Sequence, residues 1–162
     1  MNTIRTYITG IATALSLSMP SFAGNGHPCL LFNSDELTEM KEGMAEAPLF
    51  NKSISAIIAN AEASLDTPIE MPVPCDGGGG PVHERHKSNY YELMDQGIAY
   101  QFTGDTRHAE RAAKMFEAYA KLYPTLGYHQ LGLSPVPGRL FWQTLNESVW
   151  LVHASVAYDC IK

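Results

Sequence analysis

Apolar residues recur every three or four positions along most of this chain, which is the spacing of one face of an α-helix. A first helix is predicted to begin near Asp35, because Asn33 and Ser34 are N-cap residue types and acidic residues follow in the first turn. A second is predicted over roughly residues 48–65, since Pro48 suits a first helical turn. Its predicted apolar stripe is Ile54, Ile57, Ile58 and Ala61.

The pattern stops in the Pro- and Gly-rich segment 67–81 and returns from Asn89. A second break at Gly104 and Asp105 leads into an alanine-rich helix, for which Asp105 or Thr106 is the expected N-cap. Two helices joined by such a short turn predict an αα-hairpin. The buried face expected for its second helix is Ala109, Ala112, Ala113, Phe116, Ala120 and Tyr123.

A second long loop, residues 124–139, precedes a last helix predicted over 140–161. Apolar residues at 141, 145, 149, 152 and 156 predict its core stripe. Gln143, Asn146 and Trp150, at i, i+3 and i+7, lie on a different face of the same predicted helix. No strand pattern of any strength follows residue 32. The predicted class is therefore all-α, built from antiparallel helix pairs with the long loops on one side.

The first 23 residues have the pattern of a cleaved secretory signal. Arg5 is followed by an apolar run over 7–19, and Ser21-Phe22-Ala23 places small residues before a cut at Gly24. An uncleaved amphipathic anchor is the alternative. Cleavage would leave residues 24–162 as an exported domain, periplasmic or secreted, with no later segment apolar enough to span a membrane.

Net charge and cysteine content limit the classes of partner, disulfide and metal site that the chain can have. Without residues 1–23 the net charge is −7, since only Arg5 is lost, and this argues against nucleic acid as a partner. Three cysteines leave at least one thiol unpaired within the chain, and a Cys29–Cys75 bridge is one pairing that spacing leaves open. No cysteine pair has zinc spacing, and His83 with His86 lacks a third ligand nearby, so neither a metal nor another cofactor is expected.

The candidate site is the stretch 82–91, which follows the glycine-rich loop 72–81. Cations can offset a sugar carboxylate, amides and phenols can hydrogen-bond hydroxyls, and aromatic rings can pack on sugar faces. The alternative is an ordinary solvated helix start for Lys87 and a core position for one of Tyr90 and Tyr91, because adjacent helical residues point about 100° apart. The side chains that suggest an anionic sugar site are His83, Arg85, His86, Lys87, Asn89, Tyr90 and Tyr91.

Three segments together resemble the N-terminal part of exported alginate lyases: HPCLLF at 27–32, the run HKSNYYELMDQGIAYQFTGDT and its continuation over 86–124, and PGRLFWQTLNESVW with the rest of 137–162. The similarity is closer to the oligoalginate lyases of polysaccharide lyase family 17 than to family 5. It implies an (α/α) toroid that cleaves alginate by β-elimination without a cofactor. The substrate-binding residues implied are Lys87, Asn89, Tyr90, Arg85, Gln143 and Asn146.

The chain departs from that family because it contains no Asn-His dipeptide and no later catalytic tyrosine. Residues 24–162 are therefore expected to be the N-terminal portion of a lyase domain, with no catalytic residue assigned here. The alternative is a non-catalytic periplasmic helical-hairpin module that binds a sugar or a protein partner.

Overall fold

The fold is all-helical over the residues that the computed structural model describes, 26–131 and 135–162. The helices are α1 (Ser34–Gly43), α2 (Pro48–Ser64), α3 (Pro81–Thr103), α4 (Thr106–Leu122) and α5 (Thr144–Ile161), and no strand occurs in these ranges. The all-α class is thus confirmed. The signal predicted at residues 1–23 lies outside the described residues.

The helix starts follow the local sequence at three of the predicted positions. The Asn33 side chain accepts hydrogen bonds from the backbone of Asp35 and Glu36 at 2.9 Å, and the Glu36 carboxylate accepts from the Asn33 N–H. Helix α2 begins at Pro48, and Asp105 caps α4 by accepting from the Arg107 N–H at 2.9 Å. Gly104 supplies the left-handed turn between α3 and α4, with φ +73°.

Helix α3 is the central element. Helix α2 runs antiparallel to it, since Phe50 lies on Phe102 and the Gln96 amide donates to the Ala61 carbonyl at 2.8 Å. Helix α4 is also antiparallel to α3, which confirms the predicted αα-hairpin. Helix α5 runs parallel to α3 on another side, because Tyr90 of α3 contacts His153 of α5, and Gly97, further along α3, meets Ala157, further along α5.

Helix α3 begins at Pro81, well before the predicted position at Asn89. Asp76, in the preceding loop, accepts hydrogen bonds from the Val82 and His83 backbone N–H groups at 2.9 and 2.8 Å. Asp76, which four glycines separate from the helix, thus caps the first turn of α3. That turn is polar, so hydrophobic periodicity does not reveal it. The basic stretch therefore lies inside the helix.

The buried faces of α4 and α5 differ from the predicted ones. In α4 the residues at 113 and 120 are exposed, and the core side is His108, Arg111, Ala112, Met115 and Tyr119. In α5 the predicted stripe is largely on the surface, with Leu145 68% and Val152 62% exposed. Its inner face carries Ala154, Ala157 and Cys160 instead, because α3 approaches too closely for larger side chains.

Both long loops lie at the end of the bundle where α3 and α5 begin, as predicted. Gly77 faces Leu131 and Trp142, and a Cβ added there would lie 3.2 Å from the Leu131 side chain. The His83 and Phe141 rings, at 5.1 Å, join the two helix starts. We call this region, residues 65–88 and 126–147 as far as they are described, the loop end. None of the described helices is long and apolar enough to cross a bilayer.

Candidate functional site at the loop end

The two histidines of the basic stretch are buried. His86 is completely enclosed, with Nδ1 3.1 Å from the Tyr119 hydroxyl and Nε2 2.9 Å from the Pro72 carbonyl oxygen. Burial lowers the pKa of both His83 and His86, so the neutral ring is favoured. His86 therefore supports the loop, and neither ring adds a cation to the surface.

Asn89 and Tyr90 are buried as well, one turn further along α3. Asn89 Nδ2 donates to the Glu70 carbonyl at 2.8 Å. The Tyr90 ring packs against Tyr91 and His153, with centroids 4.6 and 4.5 Å apart, and burial raises the pKa of its phenol to about 12. Tyr91, by contrast, is 53% exposed, so the core tyrosine of this pair is Tyr90.

The two cations that reach the surface each have a carboxylate partner. Lys87 donates to Glu84 at 2.8 Å, and this bond raises the pKa of the lysine. Arg85 pairs with Glu70 at 3.0 Å, with both side chains about half exposed. Exposed pairs of this kind are weak, so a ligand carboxylate can displace the partner at little cost.

The start of α5 brings a second polar group to the loop end. Gln143 Nε2 donates to Asn146 Oδ1 at 2.7 Å, and both side chains are half-buried. Glu147 accepts from the backbone N–H groups of Arg139 and Leu140, each at 2.6 Å. The Glu147 carboxylate thus fixes the backbone of the segment that leads into α5. Trp150 packs on Tyr119 and stacks on Tyr123, so its ring is part of the aromatic packing beside the core.

His129 and Tyr91 are two further polar residues of this region, and neither is among the six residues assigned to the substrate. His129 is buried, and its backbone N–H donates to the Gly138 carbonyl at 2.8 Å, which closes the 124–139 loop. Tyr91 presents its phenol at the surface and its ring edge to His153 at 5.2 Å. The sequence placed Tyr91 in the candidate stretch 82–91 and left open which of the two adjacent tyrosines is buried.

The six predicted substrate-binding residues thus occupy two levels of one end of the bundle. Arg85, Lys87, Gln143 and Asn146 reach the outer level, whereas Asn89 and Tyr90 lie beneath it. Substrate binding by all six remains a prediction. Chemically, the outer level offers two cations and two amides, which suits recognition of a carboxylate and hydroxyls.

Two proteins named as alginate lyases are similar to this chain. It is 37% identical to the exo-oligoalginate lyase of Saccharophagus degradans over 164 residues, which is 99% of this chain and 22% of that protein. It is 46% identical to an alginate lyase of Stenotrophomonas maltophilia over 115 residues, 71% of this chain and 16% of that protein. The chain therefore spans about a fifth of the length of the curated relatives it matches. No family model matches it.

Proposed function

We propose that the protein carrying this chain is an alginate lyase, and that the loop end contributes to binding of the uronate substrate. The similarity to an exo-oligoalginate lyase over 99% of the chain is the observation that carries the proposal. The structure is compatible with it, because exposed cations and amides lie at the start of two adjacent parallel helices.

In β-elimination a base removes the C5 proton of the uronate, the electron pair forms the C4=C5 double bond, and the C4–O4 bond breaks. The oxygen leaves with a proton from an acid. Negative charge develops on the carboxylate conjugated to C5, so groups that neutralise it lower the barrier. We assign Lys87 and Arg85 to this carboxylate and Gln143 with Asn146 to hydroxyls. No residue of the chain is assigned as the base or acid.

Asn89 and Tyr90 support this surface from below. Asn89 binds the loop at Glu70, whose carboxylate is also the partner of Arg85. The Tyr90 ring of α3 packs against the His153 ring of α5 and so joins the two helices beneath the loop end. Their contribution to substrate binding then includes holding the outer residues in place.

The proposal is tested with Lys87→Ala in the full-length protein, with Lys52→Ala as the matched control. Lys52 is exposed near the start of α2, at the opposite end of the bundle. On oligoalginate, with the ultraviolet absorbance of unsaturated ends as the signal, kcat/KM should fall about tenfold or more for Lys87→Ala and stay unchanged for Lys52→Ala. Equal activity of the two variants would contradict the assignment of Lys87.

The wild-type measurement itself separates the lyase from the non-catalytic alternative. Unsaturated ends should accumulate with wild-type protein. Binding of oligoalginate without any such product would instead make the loop end a sugar-binding surface of a non-catalytic protein.

We also propose that the protein is exported to the periplasm or secreted, on the signal pattern of residues 1–23. N-terminal sequencing of protein recovered from the periplasm or medium of the producing cells should then begin at Gly24. Recovery in the cytoplasm with Met1 retained would refute export.

A further inference from the structure

Far from the loop end, residues 27–30 contact the buried carboxylate of Asp159 in α5. Asp159, only 4% exposed, lies 2.5 Å from His27 Nδ1 through Oδ1. The same oxygen is 3.5 Å from Cys29 Sγ. Asp159 lies 130 residues after Cys29 in the chain, so sequence spacing gives no sign of the cluster.

The carboxylate is held in a fixed orientation by the backbone. Asp159 Oδ2 accepts hydrogen bonds from the Cys29 and Leu30 N–H groups at 2.6 and 2.8 Å. Oδ1 is thereby left facing the imidazole and the thiol. Orientation of one carboxylate oxygen by hydrogen bonds to the other is the arrangement that supports metal ligands in proteins.

We propose that His27, Cys29 and Asp159 bind a divalent cation of the zinc class. Imidazole, thiolate and carboxylate are the side chains that zinc prefers, and their donor atoms here all lie within 4.8 Å of one another. With ordinary zinc bond lengths, sulfur and oxygen on adjacent corners of a tetrahedron are about 3.5 Å apart, which matches the spacing of Cys29 Sγ and Asp159 Oδ1.

Binding requires one local change. The His27–Asp159 hydrogen bond must open by less than about 1 Å, because two ligand atoms on a tetrahedral zinc lie about 3.3 Å apart. The thiol proton leaves to solvent, and the proton between His27 Nδ1 and Asp159 is exchanged through solvent for one on Nε2, so that a neutral imidazole offers the Nδ1 lone pair to the metal. A thiolate and a carboxylate then balance the charge of the cation.

The surroundings leave room for a fourth ligand. His27 and Cys29 are exposed, and the cluster borders a cleft of about 380 Å³. A water molecule can complete the tetrahedron from that side. The cleft is otherwise mainly apolar, lined by Leu30, Phe116, Trp150, Leu151 and Tyr158.

A second cluster in the described chain, formed by Glu62, Asp105 and His108, has no comparable space for a metal ion. The Arg107 guanidinium lies 3.0 Å from Glu62 and 2.6 Å from Asp105. A cation already occupies the space between the two carboxylates, and a metal would have to displace it. The assignment therefore falls on the cysteine-containing cluster alone.

The test is a Co²⁺ titration of the metal-free full-length protein in a phosphine reductant. Cys29→Ser is the variant and Cys75→Ser the matched control, since Cys75 is also a free, exposed thiol but belongs to neither cluster. We expect a thiolate-to-cobalt charge-transfer band in the wild type and in Cys75→Ser, and its loss in Cys29→Ser. Competition with Zn²⁺ should show affinity at least about tenfold weaker in Cys29→Ser.

A Cys29→Ser protein with the same band and the same zinc affinity as the wild type would overturn the proposal, as would a wild type with no thiolate band. The variant should still fold without metal, because the bonds from the backbone to Asp159 do not involve the thiol. Zn²⁺ should raise the melting temperature of the wild type by more than that of Cys29→Ser. Neither readout depends on lyase activity.

Discussion

Buried polar side chains of α3 hold the loop that precedes it. The carbonyls of Glu70 and Pro72 belong to a segment too rich in proline and glycine to form regular hydrogen bonds, and Asn89 and His86 provide donors to them. The same residue types would suit a sugar site, which is why the sequence alone could select Asn89 without revealing its burial.

Removing the Asn89 amide should destabilise the fold. Asn89→Ala removes the hydrogen bond from a buried amide to the Glu70 carbonyl, which should cost about 0.5–1.5 kcal/mol in the free energy of unfolding. Urea unfolding measures this, with Asn51→Ala on the exposed side of α2 as the control. Equal stability of the two variants would mean that water replaces the amide without loss.

His86 should make stability depend on pH. Burial lowers its folded-state pKa, whereas the unfolded chain titrates near 6.5. Its contribution is therefore complete above pH 6.5 and is lost as the pH falls below that value, because the unfolded state then binds the extra proton. In His86→Gln the decrease in melting temperature between pH 7.5 and 5 should be smaller; an unchanged profile would assign the effect to other groups.

At the scale of elements, the packing of α5 on α3 depends on small residues. A Cβ at Gly97 would lie 2.9 Å from Ala157 Cα and 3.2 Å from Cys160 Cβ. The apolar stripe at 145, 149 and 152 predicted the opposite face, because hydrophobicity ranks valine and leucine above alanine and carries no information on how closely two helices approach. Helix existence and the hairpin were predictable, since both depend on local periodicity and turn residues.

Two glycine substitutions should have opposite effects. Gly97→Ala should destabilise the fold by about 1–3 kcal/mol, since the new methyl meets backbone that cannot move freely. Gly43→Ala, with nothing within 4 Å, should stabilise it by about 0.5–1 kcal/mol through helix propensity. Thermal or urea unfolding measures both, and stabilisation by Gly97→Ala would show that α5 can shift away.

At the scale of the molecule, the described helices leave apolar surface uncovered on the outer side of α5. Leu145 and Val152 lie one above the other on it, and Val149 between them is 38% exposed. The sequence predicted that both long loops lie at one end, because it predicted antiparallel helix pairs. It did not predict this apolar surface, because hydrophobic periodicity does not show which helix faces stay uncovered. Contiguous apolar surface of this kind favours association.

Polar substitution of that surface should affect association more than stability. Leu145→Gln combined with Val152→Gln should lower the sedimentation-average mass of the 162-residue chain at high concentration, and the free energy of unfolding should change by less than about 0.5 kcal/mol per site. A large loss of stability would show that the stripe packs against something in solution.

The attachment of residues 27–30 to Asp159 also has a kinetic consequence. Closing a loop of about 130 residues is entropically slow, and no contact between the two segments can form until α5 exists. During synthesis residues 27–30 therefore cannot make these contacts until position 159 has been made. Residues 27–30 should be the last to gain protection in pulsed hydrogen exchange during refolding and the first exposed to a protease when the end of α5 frays.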